Sequence, residues 1–293
     1  MTSLQWELVQ ERQSAPLPSR IERVLGGVLF LIVGELINSS RQQVGKAIRD
    51  KDDALIRSLA RSQIEAGADA IDLSAGESVR EEKENLLWLI EVVESELGPD
   101  VRLAIDTSDP DIMKAGLAAC SGRPTANSIS NEAGKQDLIE VTARAEAGVI
   151  GLSMGEYGMP KSAQDRVSES EALLQKCLKA GLDRDQLYVD VICMSVASSQ
   201  DQGKAVLQAV QRVKTEVGVK TLAAVSNVSF GLPNRRLLNR TYLSMLLEVG
   251  LDGAILDATD EGIRDTMTAS CALRGEDKYC LGHIKHHRRR RRT

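Results

Sequence analysis

The chain has 293 residues, 42% of them hydrophobic and 27% charged, which is enough for one large core. Net charge is −5, and without Lys285 and Arg288–Arg292 the body carries 31 basic against 42 acidic residues, a balance that argues against nucleic-acid binding. Five dispersed cysteines without a CxxC pair, no basic–apolar leader and no apolar run of membrane length predict a reduced, cytoplasmic protein outside the membrane.

Residues 1–27 contain the proline-bearing stretch SAPLPSR and read as an N-terminal arm. From Val28 the chain alternates short aliphatic runs with longer stretches of helical period. The runs are VLFLIVG (28–34), ADAIDL (68–73), VRLAID (101–106), TANSI (125–129), GVIGLS (148–153), LYVDV (187–191), TLAAVS (221–226) and DGAILD (252–257). Their length and continuous apolarity predict buried parallel strands. Between them, Leu86/Ile90/Val93/Leu97, Val206/Val210/Val213/Val217 and Leu238/Tyr242/Met245/Val249 each predict a helix with one apolar stripe toward the sheet. Gly67, Gly98, Gly148, Gly181, Gly218 and Gly250 stand just before strands and read as helix stops. With aromatics at 3%, the core must be aliphatic.

Eight strands alternating with helices predict an α/β fold, a single-domain (β/α)8 TIM barrel over residues 28–275. A doubly wound open sheet is the rival, but its GxGxxG turn does not follow the first strand, and no phosphate-binding GxxxxGK[ST] occurs. Residues 276–293 form a basic C-terminal tail, whose like-charged run reads as a disordered, solvated end.

In such a barrel the chemistry belongs where strands end. Glu35, Asp72, Asp106, Asn127, Asp190, Asn227 and Asp257 all fall there. Asp257 and Ser108 are predicted helix N-caps. Asp72, Asp106, Asn127 and Asp190 lie within or at the very end of apolar strands, where a polar group needs donors to offset its burial. Together they predict a polar pocket for a flat heterocycle rich in N–H donors. The three histidines all lie near the tail, so no histidine triad can form in the body. The scattered cysteines offer no zinc spacing, so no metal site is expected. Cys193 reads as a buried structural thiol. Missing nucleophile and metal fit a reaction whose chemistry resides in bound cofactors.

GELIN (34–38), IDLSAG (71–76), AIDTS (104–108), ANSIS (126–130), MGEYGMP (154–160), YVDV (188–191) and SNVSFGLPNR (226–235) follow one another as in the pterin-binding methyltransferases. The chain therefore resembles, from about Phe30 to Asp257, the methyltetrahydrofolate:corrinoid protein methyltransferases and the folate module of cobalamin-dependent methionine synthase. Dihydropteroate synthase is a more distant relative. The resemblance implies methyl transfer, in either direction, between N5 of tetrahydrofolate (as 5-methyltetrahydrofolate when loaded) and the cobalt of a corrinoid, a cobalamin carried by a partner protein. It implies that Asp106, Asn127 and Asp190 hydrogen-bond the pterin, that Asp72 lines the same site, and that Asn227 is the catalytic residue beside N5. It places Arg235 near the folate glutamate tail or the partner, and it implies a homodimer. Leu36 stands where the family often has Arg, Ser74 where it has Asn, and Gly155 where Asp is frequent.

Three other readings compete. A dihydropteroate synthase would need lysine after strand seven, where SNVSFG has none. A folate-binding barrel subunit without catalysis would show the same pocket. A Schiff-base aldolase needs a lysine within a strand, and the predicted strands contain none.

Overall fold

The computed structural model describes residues 24–25, 28–76 and 79–290. Apart from Val24–Leu25, the predicted N-terminal arm lies outside the described residues. Val24–Leu25 pairs antiparallel with Val28–Leu29 in a small hairpin. Eight parallel strands then close into a barrel in chain order: β1 (Leu31–Asn38), β2 (Ala70–Ser74), β3 (Leu103–Asp106), β4 (Thr125–Asn131), β5 (Gly148–Gly155), β6 (Leu187–Asp190), β7 (Lys220–Ala224) and β8 (Gly253–Leu256). β8 pairs with β1, Gly253 opposite Leu31, which completes the circle. The helices are α1 (Gln42–Asp50), α2 (Asp53–Ala66), α3 (Val79–Leu97), α4 (Pro110–Ala119), α5 (Gln136–Arg144), α6 (Ala163–Lys179), α7 (Gln202–Arg212, continued by a π turn at Val213–Val217), α8 (Arg235–Glu248), α9 (Glu261–Leu273) and α10 (Leu281–Arg290). Among the described residues no helix is long and apolar enough to cross a membrane.

Each barrel strand has two buried faces, which explains its continuous apolar run. One face packs outward against the helices in a single large core that includes Ile32, Ile71, Leu103, Ile105, Val149 and Val189. The other packs inward, where Val33, Ala70, Ala104, Ile150, Leu222 and Ile255 form a separate plug on the barrel axis. The two sets alternate along the strands, as a period of two requires.

β1 begins three residues later than the apolar run predicts, because Val28–Leu29 is used by the hairpin, and it continues past Gly34 to Asn38. Its register against β2 shifts between Gly34 and Ile37. The fully buried Gln63 of α2 accepts from the Leu36 N–H there at 2.9 Å, completing a donor that the irregular ladder leaves over. A side chain at Gly34 would strike the Gln63 carboxamide. Gly34→Ala is therefore expected to destabilise the barrel by about 1–3 kcal/mol, read as a lower midpoint in thermal or urea unfolding.

Five local expectations are corrected. α4 is capped by Asp109, not Ser108: Asp109 accepts from the Asp111 and Ile112 N–H groups, and Pro110 at the first helical position fixes that start. α9 is capped by Asp260, not Asp257, whose carboxylate instead accepts from Thr259 N and Oγ1 at 2.9 and 2.6 Å. On α8 the buried stripe is Tyr242, Leu243, Leu246 and Leu247, so Met245 faces outward. Of the six stop glycines, Gly148 instead opens β5, and Glu146 takes the left-handed conformation before it. The tail is also ordered further than its charge suggested. Asp277 accepts from the Gly282 and His283 N–H groups at the start of α10, and His286 reaches Asp265 at 2.8 Å. The predicted disordered end thus runs as helix to Arg290.

Candidate active site

The same period of two that builds the plug places one more residue per strand above it, at the carboxyl ends. Two residues beyond Val33, Ala70, Ala104, Tyr188 and Ile255 come Glu35, Asp72, Asp106, Asp190 and Asp257. Asn127 on β4 stands level with Asp106 on β3 and with Ile150 on β5. The result is a rim of acceptors over an aliphatic floor.

The rim residues touch one another. Asn127 Nδ2 donates to Asp72 Oδ1 at 2.9 Å, and both side chains are buried. Ser74 stands opposite Asp106 in the ladder between β2 and β3. Asp190 is buried, and its Oδ1 accepts from the Ile192 N–H at 2.8 Å. Ile192 takes φ 52°, a left-handed conformation that is unfavourable for a β-branched residue by about 1–3 kcal/mol.

Burial dominates the electrostatics. It raises the Asp72 carboxyl well above its ordinary value, reinforced by the charge of Asp106, while the Asn127 amide opposes the rise. Asp106 is raised by burial too, with Ser74 opposing the rise. Asp190 is pushed up to about 6, chiefly by burial, against the Ile192 N–H and the Arg166 charge. Such crowding of acceptors is unfavourable until a ligand brings N–H donors.

Beyond β7 the chain makes a 3-10 turn, Val225–Ser229. Asn227 sits on it with its side chain exposed. Three contacts hold the turn: Ser226 Oγ donates to Glu35 Oε2 at 3.0 Å, and Arg235 donates to Ser226 O at 2.8 Å and to Ser229 Oγ at 3.1 Å. Arg235 also lies over the Phe230 ring at 5.9 Å. Its guanidinium is thus tied to the turn that carries Asn227. Glu35 in turn pairs with Arg41 at 2.9 Å. Burial raises the Glu35 carboxyl, the Ser226 hydrogen bond and the Arg41 charge lower it, and the Asp257 charge raises it again.

The structure therefore brings Asp72, Asp106, Asn127 and Asp190 to one end of the barrel, with the Asn227 turn beside them and Arg235 behind that turn. Glu35, which the sequence places at a strand end without a role, joins the set. A polar residue after Gly34 looked like the end of a strand, yet it keeps the inward phase of Leu31 and Val33, which is the signal that would have found it. A separate groove of about 730 Å3 lies before the amino-terminal end of β6, lined by Arg123, Glu146 and Asp183–Gln186. It mixes both signs of charge away from the rim.

The sequence matches the family model described as pterin binding enzyme over residues 34–257. It is 29% identical over 262 residues to a methylcorrinoid:tetrahydrofolate methyltransferase of Eubacterium limosum, covering 87% of this chain and 95% of that one. It is 26% identical over 247 residues to a methionine synthase of Mycobacterium leprae (strain TN), covering 78% of this chain and 20% of that one. The chain thus spans about a fifth of that much longer protein. Among solved structures, a dihydropteroate synthase from Xanthomonas albilineans in complex with 7,8-dihydropteroate superposes with a TM-score of 0.64 at 18% identity, over 84% of this chain and 94% of that one. The Yersinia pestis dihydropteroate synthase gives 0.63 at 16%, over 84% and 93%. At these identities the structural likeness bears on the fold alone.

Proposed function

The chain belongs to the pterin binding enzyme family, and from that premise we propose that it is a methyltransferase acting between a corrinoid and N5 of tetrahydrofolate. The observation that carries this reading is the rim itself: acceptors from four strands around an aliphatic floor, with the exposed Asn227 turn beside them. The relative matched almost end to end is named for transfer from a methylcorrinoid to tetrahydrofolate, and we assign this chain the same direction.

A reduced pterin offers ring and amino N–H groups along its pyrimidine edge. Asp190 and Asp106 accept from that edge as carboxylates, and Asn127, held by Asp72, uses its free carbonyl in the same way. Satisfied acceptors then replace crowded ones, so binding relieves the unfavourable burial of the rim. The pterin plane lies on the plug, whose small Ala70 and Ala104 leave a flat bed.

A corrinoid on the partner protein supplies the cobalt that gives up the methyl group. This chain's part is to present N5 and to manage its proton. The N5 lone pair takes the methyl group as the cobalt–carbon bond breaks, and the resulting ammonium N–H must then be lost. Asn227 can accept from that N–H through its carbonyl, or donate to the free lone pair through its amide, so it stays bonded in both states. Glu35 and Arg235 hold the turn that aims it.

One barrel domain over residues 28–275, two chains per assembly, no nucleic-acid partner and a cytoplasmic setting belong to the same reading. The acidic body and the five free thiols support its last two parts.

The test is a single-turnover reaction of the purified protein with methylcob(III)alamin and tetrahydrofolate, followed by the visible spectrum. Loss of the methylcobalamin band with formation of 5-methyltetrahydrofolate is expected. Tight folate binding with no spectral change would select the non-catalytic barrel instead. Within the reading, Glu35→Ala frees Ser226 and is expected to slow transfer about tenfold through a misplaced turn. Folate affinity, measured by calorimetry, should change less than threefold, because Asp106, Asn127 and Asp190, which are assigned to the pterin, remain.

A further inference from the structure

Arg166 on α6 is fully buried beside the site, and no role toward the ligand has been given to it. All four of its hydrogen bonds run to neutral oxygens. Nε donates to Val191 O at 2.6 Å, one terminal nitrogen to Ile192 O at 3.0 Å and to Gln202 Oε1 at 2.9 Å, and the other to Ser162 O at 3.1 Å. A guanidinium so enclosed is costly, and an aliphatic side chain of similar volume commonly serves stability as well or better. A cation held at that cost calls for a function.

That function follows from what the cation holds. Val191 and Ile192 are the two residues immediately after Asp190, and Ile192 is in the left-handed conformation. Its N–H binds the Asp190 carboxylate while its C=O binds Arg166. One strained residue is thus gripped at both ends, by the rim acid and by the buried cation.

Resting on the pterin-site reading above, we propose that Arg166 is a positioning residue for Asp190, a buried cation that holds the Val191–Ile192 turn so that the Ile192 N–H fixes the carboxylate for the ligand. The charge of Arg166 acts in the same sense, opposing the rise that burial imposes on Asp190. The other titratable neighbours of the pair are Cys193, Tyr242 and Asp165. Burial pushes the first two far to the alkaline side. Asp165 is held below its ordinary value, a rise from burial being outweighed by hydrogen bonds from Lys161 and Ser162. None titrates near pH 6.

The experiment compares wild type, Arg166→Lys, Arg166→Met and Asp190→Asn. The first readout needs no ligand: the pH titration of the aspartate carboxyl carbons by NMR, with the Asp190 signal assigned by its loss in Asp190→Asn. Arg166→Met should move that titration upward by about one unit or more, and Arg166→Lys, which keeps charge but not the fork, by less. The second readout is tetrahydrofolate affinity at pH 7. Arg166→Met should weaken it about tenfold, Arg166→Lys by less, and Arg166→Met should change it less than twofold on the Asp190→Asn background. Should Arg166→Met not fold, the lysine variant carries both tests. An unchanged Asp190 titration in the folded variants would overturn the proposal, as would an equal loss of affinity with and without the Asp190 carboxylate. Failure of the wild type to bind tetrahydrofolate would instead strike the pterin reading, and the ligand-free titration would still decide the role of Arg166.

Discussion

Replacing Asn227 by alanine is expected to slow methyl transfer by about 100-fold, with thermal stability and folate affinity nearly unchanged. The size follows from loss of one hydrogen bond made most strongly when charge develops on N5. The selectivity follows from position. The Asn227 side chain is exposed, while the turn beneath it is held by Ser226, Ser229, Arg235 and Glu35. The backbone carbonyl of Asn227, which accepts from Phe230 N at 3.1 Å, survives the substitution. Stopped-flow spectra of cobalamin at saturating tetrahydrofolate measure the step directly. A rate within twofold of wild type would remove Asn227 from the chemistry.

Asp190→Asn should have its main effect on binding, weakening tetrahydrofolate by roughly 100-fold through the loss of charge-assisted hydrogen bonds. The amide also turns an N–H toward ligand donors. Calorimetry at pH 7.5 measures this, and an unchanged dissociation constant would make Asp190 structural. The wild type adds a pH signature. Because burial pushes Asp190 up to about 6, and the ligand needs the carboxylate ionised, affinity should fall about tenfold between pH 7.5 and pH 5. Asp190→Asn should lose that component. Stability of the free protein runs the other way. A folded-state value above the unfolded 3.8 means that the native state binds more protons between about pH 4 and 6. The Asp190 contribution therefore favours the folded chain at the acid end and is lost as pH rises through that window.

Much of this was legible in the sequence, and the reasons are particular. β2, β3 and β6 announce themselves because both of their faces are buried, so Ile71, Leu103 and Val189 are apolar without interruption. Asp72, Asp106 and Asp190 stand out because they break those runs with carboxylates inside buried strands. What was not legible depends on partners far along the chain. Glu35 looks like a strand end until Gln63, 27 residues beyond Leu36, is seen completing the irregular ladder there. Arg166 looks like any cation on an amphipathic helix until Val191 and Ile192 arrive beneath it. The competition between Ser108 and Asp109 for a cap was decided by one proline, and that between Asp257 and Asp260 by which carboxylate turned back on Thr259. Met245 lies off the buried stripe because that stripe, Tyr242, Leu243, Leu246 and Leu247, runs about one position round α8 from the one that its periodicity predicts.

The plug formed by Val33, Ala70, Ala104, Ile150, Leu222 and Ile255 closes the barrel just under the rim. A pterin bound as proposed would therefore lie across this floor and could not sink along the barrel axis. On that reading its reacting atom stays at the mouth, and closing off water there falls in part to the docked corrinoid protein, so the rate of transfer would depend on how often and how squarely the two proteins meet.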